Sequence, residues 1–120
     1  MKIAVTSSGK DLFSDIDPRF GRAQNFIIVD SESMEFKCVV NEQNINAPSG
    51  AGIQAGQIVA KSGAEILITG NCGPKAFAVL DRAKIKVVVG VTGTVKEAVE
   101  KYKRGELEST DSSNVEGHWM

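Results

Sequence analysis

Histidine, tryptophan and tyrosine each occur once in the 120 residues, and cysteine twice. So small a supply of imidazole and thiol leaves little from which to build a metal cage or a nucleophile–base pair. Cys38 and Cys72 form no CxxC and stand near no histidine in the sequence. That spacing points to neither a zinc site nor a redox pair, and both are expected to be free thiols, as in a reducing cytoplasm. His118, beside Trp119, lies in a polar terminus, so a serine or cysteine triad would have to borrow its imidazole from there. No apolar run approaches the roughly 18 residues that cross a bilayer. The start, Met1 to Val5, enters a strand-like run without the apolar core and cleavage site of a signal peptide. Neither a membrane nor export is expected, and the location implied is cytoplasmic. Fourteen basic and fifteen acidic side chains leave a net charge of -1, so no overall field draws nucleic acid or an anionic membrane. Any anion has to be caught locally.

What is present is an ordinary globular composition, 42% hydrophobic and 24% charged, in a chain of the size that builds one core. Residues 2–6 read as a first strand followed by a loop to about residue 23. Asn25 to Asp30 and Phe36 to Asn41 read as two further strands joined by a connection of hairpin length, hence antiparallel. Phe36, Cys38 and Val40 share one face of the second, which makes Cys38 a small core residue. From residue 50 the pattern becomes helix, strand, helix, strand, helix, the signature of parallel strands with crossover helices. The first helix runs from about Gly52 to Ser62 and stops at Gly63. The strand Glu65 to Thr69 follows it. The second helix opens on Pro74, with Ala76, Phe77, Leu80 and Ala83 as its apolar stripe, and ends near Lys84. After the strand Lys86 to Val91, Thr94 and Glu97 form a T-x-x-E capping box for the third helix, which Gly105 closes. Residues 1–107 thus make one domain, and 108–120 is a polar tail too poor in apolar residues to order itself.

Chemistry concentrates in loops ahead of helices. Gly50-Ala51-Gly52-Ile53-Gln54-Ala55-Gly56 has neither the glycine spacing nor the preceding strand of a dinucleotide fingerprint. Gly70-Asn71-Cys72-Gly73-Pro74-Lys75 and Gly90-Val91-Thr92-Gly93-Thr94 each follow a parallel strand and lead into a helix. They read either as plain turn chemistry or as anion sites, because free N–H groups and the helix dipole favour negative charge there. Cys72 beside a helix start is a candidate thiolate and metal ligand. In the long first loop Phe13, Ile16 and Phe20 are candidate anchors. Arg19 and Arg22 read either as anion-binding forks or as partners of Asp11, Asp15 and Asp17 in a solvated ion-pair cluster. Those aspartates lack the glycine and terminal glutamate of a calcium loop.

The order P-R-F-G-R-A-x-x-F, IIVD, VVNE, GAGIQAG, ILITGNCGPKA, VVVGVTGTVKEAVE resembles the dinitrogenase iron-molybdenum cofactor biosynthesis family from Met1 to about Leu107. The resemblance implies an α/β fold of ribonuclease H-like type, with a mixed five-stranded sheet and crossover helices. It also implies a non-enzymatic carrier of an anionic iron–sulfur or iron–molybdenum cluster that works with cluster-assembly proteins. The arginine box and the two loops are expected to form one binding edge for such a cluster or a small anion, comprising Arg19, Phe20, Gly21, Arg22, Gly70, Asn71, Cys72, Gly73, Thr92, Gly93 and Thr94. Many members carry histidine immediately before the Phe-Gly pair, where this chain has Arg19. The competing readings are a protein-interaction module without a metal ligand and a two-metal nuclease. The latter needs a carboxylate on the first strand, and Lys2-Ile3-Ala4-Val5-Thr6 has none.

Overall fold

In the computed structural model, which describes residues 1–41 and 51–110, residues Lys2–Ser7 form β1, and every residue of the strand after Lys2 is buried. Burial on both faces is why β1 reads as an apolar run rather than an alternation. It lies at the centre of a five-stranded sheet of order β3-β2-β1-β4-β5. The other strands are β2 (Asn25–Asp30), β3 (Phe36–Val40), β4 (Ile66–Ile68) and β5 (Lys86–Val88). β2 pairs antiparallel with both β1 and β3, whereas β4 and β5 run parallel to β1. Three helices supply the crossovers and the cover: α1 (Ala51–Lys61), α2 (Pro74–Arg82) and α3 (Val95–Lys103). The expected hairpin, parallel half and helix order are those observed.

The sheet has an apolar layer on each face. Ala4, Phe26 and Leu67 point to the side of α1 and α2, where Ala55, Val59, Ala76 and Leu80 meet them. Ile3, Val5, Ile27, Val29, Ile66 and Ile68 point the other way, toward Val95, Ala98 and Val99 of α3. Each helix offers its apolar stripe at helical spacing, and the alternation along each strand divides its residues between the two layers. Among the described residues no helix is long and apolar enough to cross a membrane.

Several boundaries and exposures differ from the expectation. β5 stops at Val88, and α2 stops at Arg82; Lys84 then takes a left-handed φ of 63°, and Ala83 is exposed rather than part of the stripe. On β3 Cys38 packs against one core layer and Val39 against the other, while Phe36 and Val40, expected on the face of Cys38, stay exposed. β3 is an edge strand, and α3 covers the middle of that face without reaching the outer rows. The stretch expected to begin the tail at residue 108 is tied down at Thr110, whose N–H donates to the Val87 carbonyl at 2.7 Å. This antiparallel bridge lies at the β5 edge. The rest of the expected tail, residues 111–120 with His118, and the start of the first glycine loop, residues 42–50, lie outside the described residues.

Leu67 is fully buried in the central parallel pair. Leu67→Ala removes buried methyl groups and leaves a cavity, so it is expected to lower unfolding stability by about 2–5 kcal/mol in urea titration. A loss under about 1 kcal/mol would contradict this placement.

Candidate functional site

Because β1, β4 and β5 are parallel, the segments that leave their carboxyl ends emerge on one edge of the sheet, the usual place for a ligand crevice in such folds. Three loops meet there. The loop after β1 crosses the other two and is stitched to both. Phe20 N–H donates to the Asn71 carbonyl at 3.1 Å, and Asn71 Nδ2 donates back to the Pro18 carbonyl at 3.1 Å. Arg19 and Asn71 thereby form a parallel bridge. Gly70 lies so close beneath that a Cβ on it would stand 2.8 Å from the Pro18 Cα and oxygen, so this crossing demands glycine at position 70. Gly90 N–H donates to the Gly70 carbonyl at 2.8 Å, and Ile16 N–H to the Gly93 carbonyl at 2.9 Å. The Arg19–Arg22 box and the loops at 70–73 and 92–94 are therefore brought together, as the sequence patterns suggested.

The residues of the box differ in what they present. Phe20 is 1% exposed and packs on Phe26 at a centroid distance of 5.6 Å, so it anchors the loop. Ile16 is buried in the same way, but Phe13 points into solvent and anchors nothing. Gly21 is buried beside Phe20, and Arg22 is half-buried and not free. Arg19 is exposed, and among the described residues its guanidinium forms no ion pair. The aspartates that might have neutralised it act on the backbone instead. Asp17 Oδ1 accepts from Arg19 N–H at 3.0 Å, and Asp11 Oδ1 accepts from Phe13 N–H at 2.9 Å. The one ion pair among the described residues joins Arg104 and Glu106, at the carboxyl end of α3.

The two helix starts at this edge are opposites. At α3 every early donor is occupied. Thr94 N–H donates to Glu97 Oε1 at 2.9 Å and Glu97 N–H to Thr94 Oγ1 at 3.2 Å. Val95 N–H donates to the Ser14 carbonyl at 3.0 Å and Lys96 N–H to the Leu12 carbonyl at 2.8 Å. The Glu97 carboxylate already occupies the positive end of the dipole, and the hydrogen bonds from Thr94 hold its pKa below the ordinary value. The capping box is as expected; an additional anion at Thr92-Gly93-Thr94 finds no free helix donor. At α2 Gly73 caps without a side-chain hydrogen bond and Pro74 has no N–H. Among the described residues the N–H groups of Lys75 and Ala76 have no acceptor, although Ala76 is fully buried. Buried N–H groups are seldom left in that state.

Sequence reasoning missed three contributors. Thr6 Oγ1 donates to the Asp17 carbonyl at 2.7 Å and shares a 2.9 Å hydrogen bond with Thr69, tying the first loop to β1 and β4 below the surface. Leu12 and Ser14 close α3 through carbonyls, which carry no side-chain signature. Asn41 Nδ2 donates to the Ala23 carbonyl at 3.0 Å behind the arginine box. Only Asp17-Pro18, a turn-initiating pair, offered a signal that could have been read.

The family described as dinitrogenase iron-molybdenum cofactor matches residues 1–105. An uncharacterized protein of Methanocaldococcus jannaschii is 31% identical over 110 residues, 90% of each chain. Among solved structures, the apo form of the orange protein from Desulfovibrio gigas is similar with a TM-score of 0.93 and 43% identity, over 95% of this chain and 96% of that one. A Thermotoga protein of the DUF35 family, solved by NMR, is similar with a TM-score of 0.79 and 38% identity, over 95% and 98%.

The thiol at this edge is not the thiolate that its position suggested. Cys72 is fully buried in the layer under α1 and α2, its Sγ lies 3.7 Å from the Gly73 carbonyl, and desolvation pushes its pKa up to about 12. Low dielectric disfavours the charged form more than the nearby helix start favours it. Among the described residues no three metal-ligating side chains cluster. A neutral buried thiol that ionises near 8.5 in the unfolded chain confers stability that is complete below that pH and is lost as pH climbs toward about 12. Half-buried Cys38 has a pKa raised by burial as well. Ellman's reagent at mildly alkaline pH is expected to modify Cys38 slowly in the folded protein and Cys72 only after unfolding. Fast native labelling of Cys72 would contradict its burial.

Proposed function

The chain belongs to the dinitrogenase iron-molybdenum cofactor family, and we propose that it is a non-enzymatic carrier that holds an anionic iron–sulfur or iron–molybdenum type cluster at the carboxyl edge of β1, β4 and β5. The observation that carries this reading is the start of α2, where among the described residues the N–H groups of Lys75 and Ala76 have no acceptor, next to the Arg19–Asn71 bridge whose Arg19 is exposed. Such a helix start suits an anion through its N–H donors and positive dipole end, and the Arg19 guanidinium adds a planar charged fork to the same edge. Gly73 lets the cargo approach the backbone. Arg22 and Asn71 flank it, while Phe20, Gly21 and Gly70 fix the loop that carries Arg19. Thr92 and Gly93 form an outer rim, and Thr94 serves α3.

In this reading Cys72 packs beneath the site as a neutral thiol, and the cargo is held by charge and hydrogen bonds rather than through that sulfur. The similarity to the orange protein, whose structure is of the apo form, supports a chain built to take up a group and release it. Cluster-assembly proteins are the partners such a carrier requires. The sheet order, with β2 alone antiparallel, supports the ribonuclease H-like assignment. Two-metal hydrolysis would need carboxylates around the first strand, and β1 reads KIAVTS.

Anaerobic titration with a synthetic iron–sulfur cluster, followed by visible absorption and thermal unfolding, tests the proposal. A saturable spectral change and a raised Tm are expected, with about 2.7 kcal/mol of stabilisation when the free cluster is at a hundred times its Kd. Arg19→Ala is expected to weaken binding about tenfold, or 1.4 kcal/mol, and Cys72→Ala to bind like the parent. No change in either signal at micromolar cluster would overturn the carrier reading.

A further inference from the structure

Phe13 is 72% exposed, against 44% for Phe36 on the β3 edge. A single exposed apolar side chain on a loose loop needs no explanation, but this loop tip is fixed. Asp11 Oδ1 accepts from Phe13 N–H at 2.9 Å, Ser14 N–H donates to the Asp11 carbonyl at 3.2 Å, and Asp11 N–H donates to Ser14 Oγ at 3.3 Å. The residues on either side of Phe13 are clamped to the first turn of α3, Leu12 through Lys96 N–H and Ser14 through Val95 N–H. The neck closes on Gly9, where a Cβ would meet Ser14 Oγ at 2.2 Å. Lys96 Nζ lies over the ring, 5.5 Å from its centroid. The core gains nothing from this ring. What the hydrogen bonds achieve is to hold an aromatic group outward in one position, so little conformational freedom is lost when it is buried by another surface.

We propose that Phe13 anchors the docking of a partner protein that delivers or receives the cargo. The complementary surface is an apolar pocket for the ring with a carboxylate at its rim for the Lys96 ammonium. This rests on the carrier reading above, because the loop that displays Phe13 also carries Arg19, so a partner seated on the tip faces the binding edge. Lys10 and Lys96 balance Asp11 and Asp15 at this tip, so no net positive field draws it to an anionic bilayer, and the ammonium over the ring favours a protein that places one carboxylate against Lys96.

The test places the photoreactive analogue p-benzoylphenylalanine at position 13, and separately at position 36, in the full chain in its native host. Ultraviolet light is expected to give one discrete adduct from position 13 and none from position 36, and Lys96→Glu is expected to abolish it. The recovered partner, purified, should bind the chain with an affinity that Phe13→Ala lowers at least about tenfold. Phe13→Ala should leave Tm and synthetic iron–sulfur cluster uptake as in the parent. The proposal is overturned if position 13 gives no adduct, if position 36 gives the same one, or if the adduct is a second copy of this chain. It is equally overturned if Phe13→Ala abolishes cluster uptake, or if phosphatidylserine vesicles bind the parent through Phe13. Should the parent take up no cluster while partner binding still depends on Phe13, the docking stands and the carrier reading falls.

Discussion

The carbonyl oxygens of Leu12 and Ser14 terminate a helix more than 80 positions away in the chain, accepting from the N–H groups of Lys96 and Val95, and the layout of the edge follows from that. With the Thr94–Glu97 capping box they close the start of α3 and fix the first loop against it. The same loop then turns back through Asp17 and Pro18 to reach Asn71. It arrives with Arg19 exposed and Phe20 buried against Phe26. One helix start is thus occupied, while at the neighbouring one Lys75 and Ala76 have no acceptor among the described residues, an asymmetry that glycine patterns in the sequence do not distinguish.

Burial decides the chemistry of the side chains beneath this edge. Phe20, Cys72 and Ala76 join the layer that packs α1 and α2 on the sheet, and in that setting sulfur behaves as a small apolar group. Desolvation of Cys72 outweighs any help from the start of α2, which is why its pKa rises to about 12 instead of falling. Among the described residues, the donors that the proposed site offers a ligand are backbone N–H groups and a guanidinium. These recognise negative charge and oxygen or sulfur lone pairs without forming a bond to metal.

Local signals in the sequence were read correctly where the physics is local. Pro74 at a helix start, Thr94 with Glu97, the connection between β2 and β3, and the apolar periods of α2 as far as Leu80 and of α3 all involve residues within a few positions of one another, and each has its observed counterpart. The antiparallel pair and the alternation after residue 50 supply the parts of the mixed sheet, and the family resemblance supplies their joining into one. What could not be read is set by distant contacts. Nothing around Phe13 distinguishes an anchor from an exposed ring, since its neighbours Ile16 and Phe20 are buried and the pattern is shared. Phe36 and Val40 alternate like core residues and are exposed because their strand lies at the edge. Gly70 looks like a turn glycine, yet its requirement comes from the approach of Pro18. The bridge from Thr110 to Val87 is a pairing to a free strand edge in a segment whose composition suggests none.

The central claim is that the anion lies at the start of α2, on the edge that carries Arg19, and leaves the closed start of α3 untouched. Amide resonances of the isotopically labelled protein, recorded while a synthetic iron–sulfur cluster is added anaerobically, report on both helix starts in one experiment. The account predicts shifts or broadening concentrated at the amides of Lys75, Ala76 and Arg19, with those of Val95, Lys96 and Glu97 unmoved. Perturbation centred on Val95 to Glu97, or spread without preference over the surface, would contradict it.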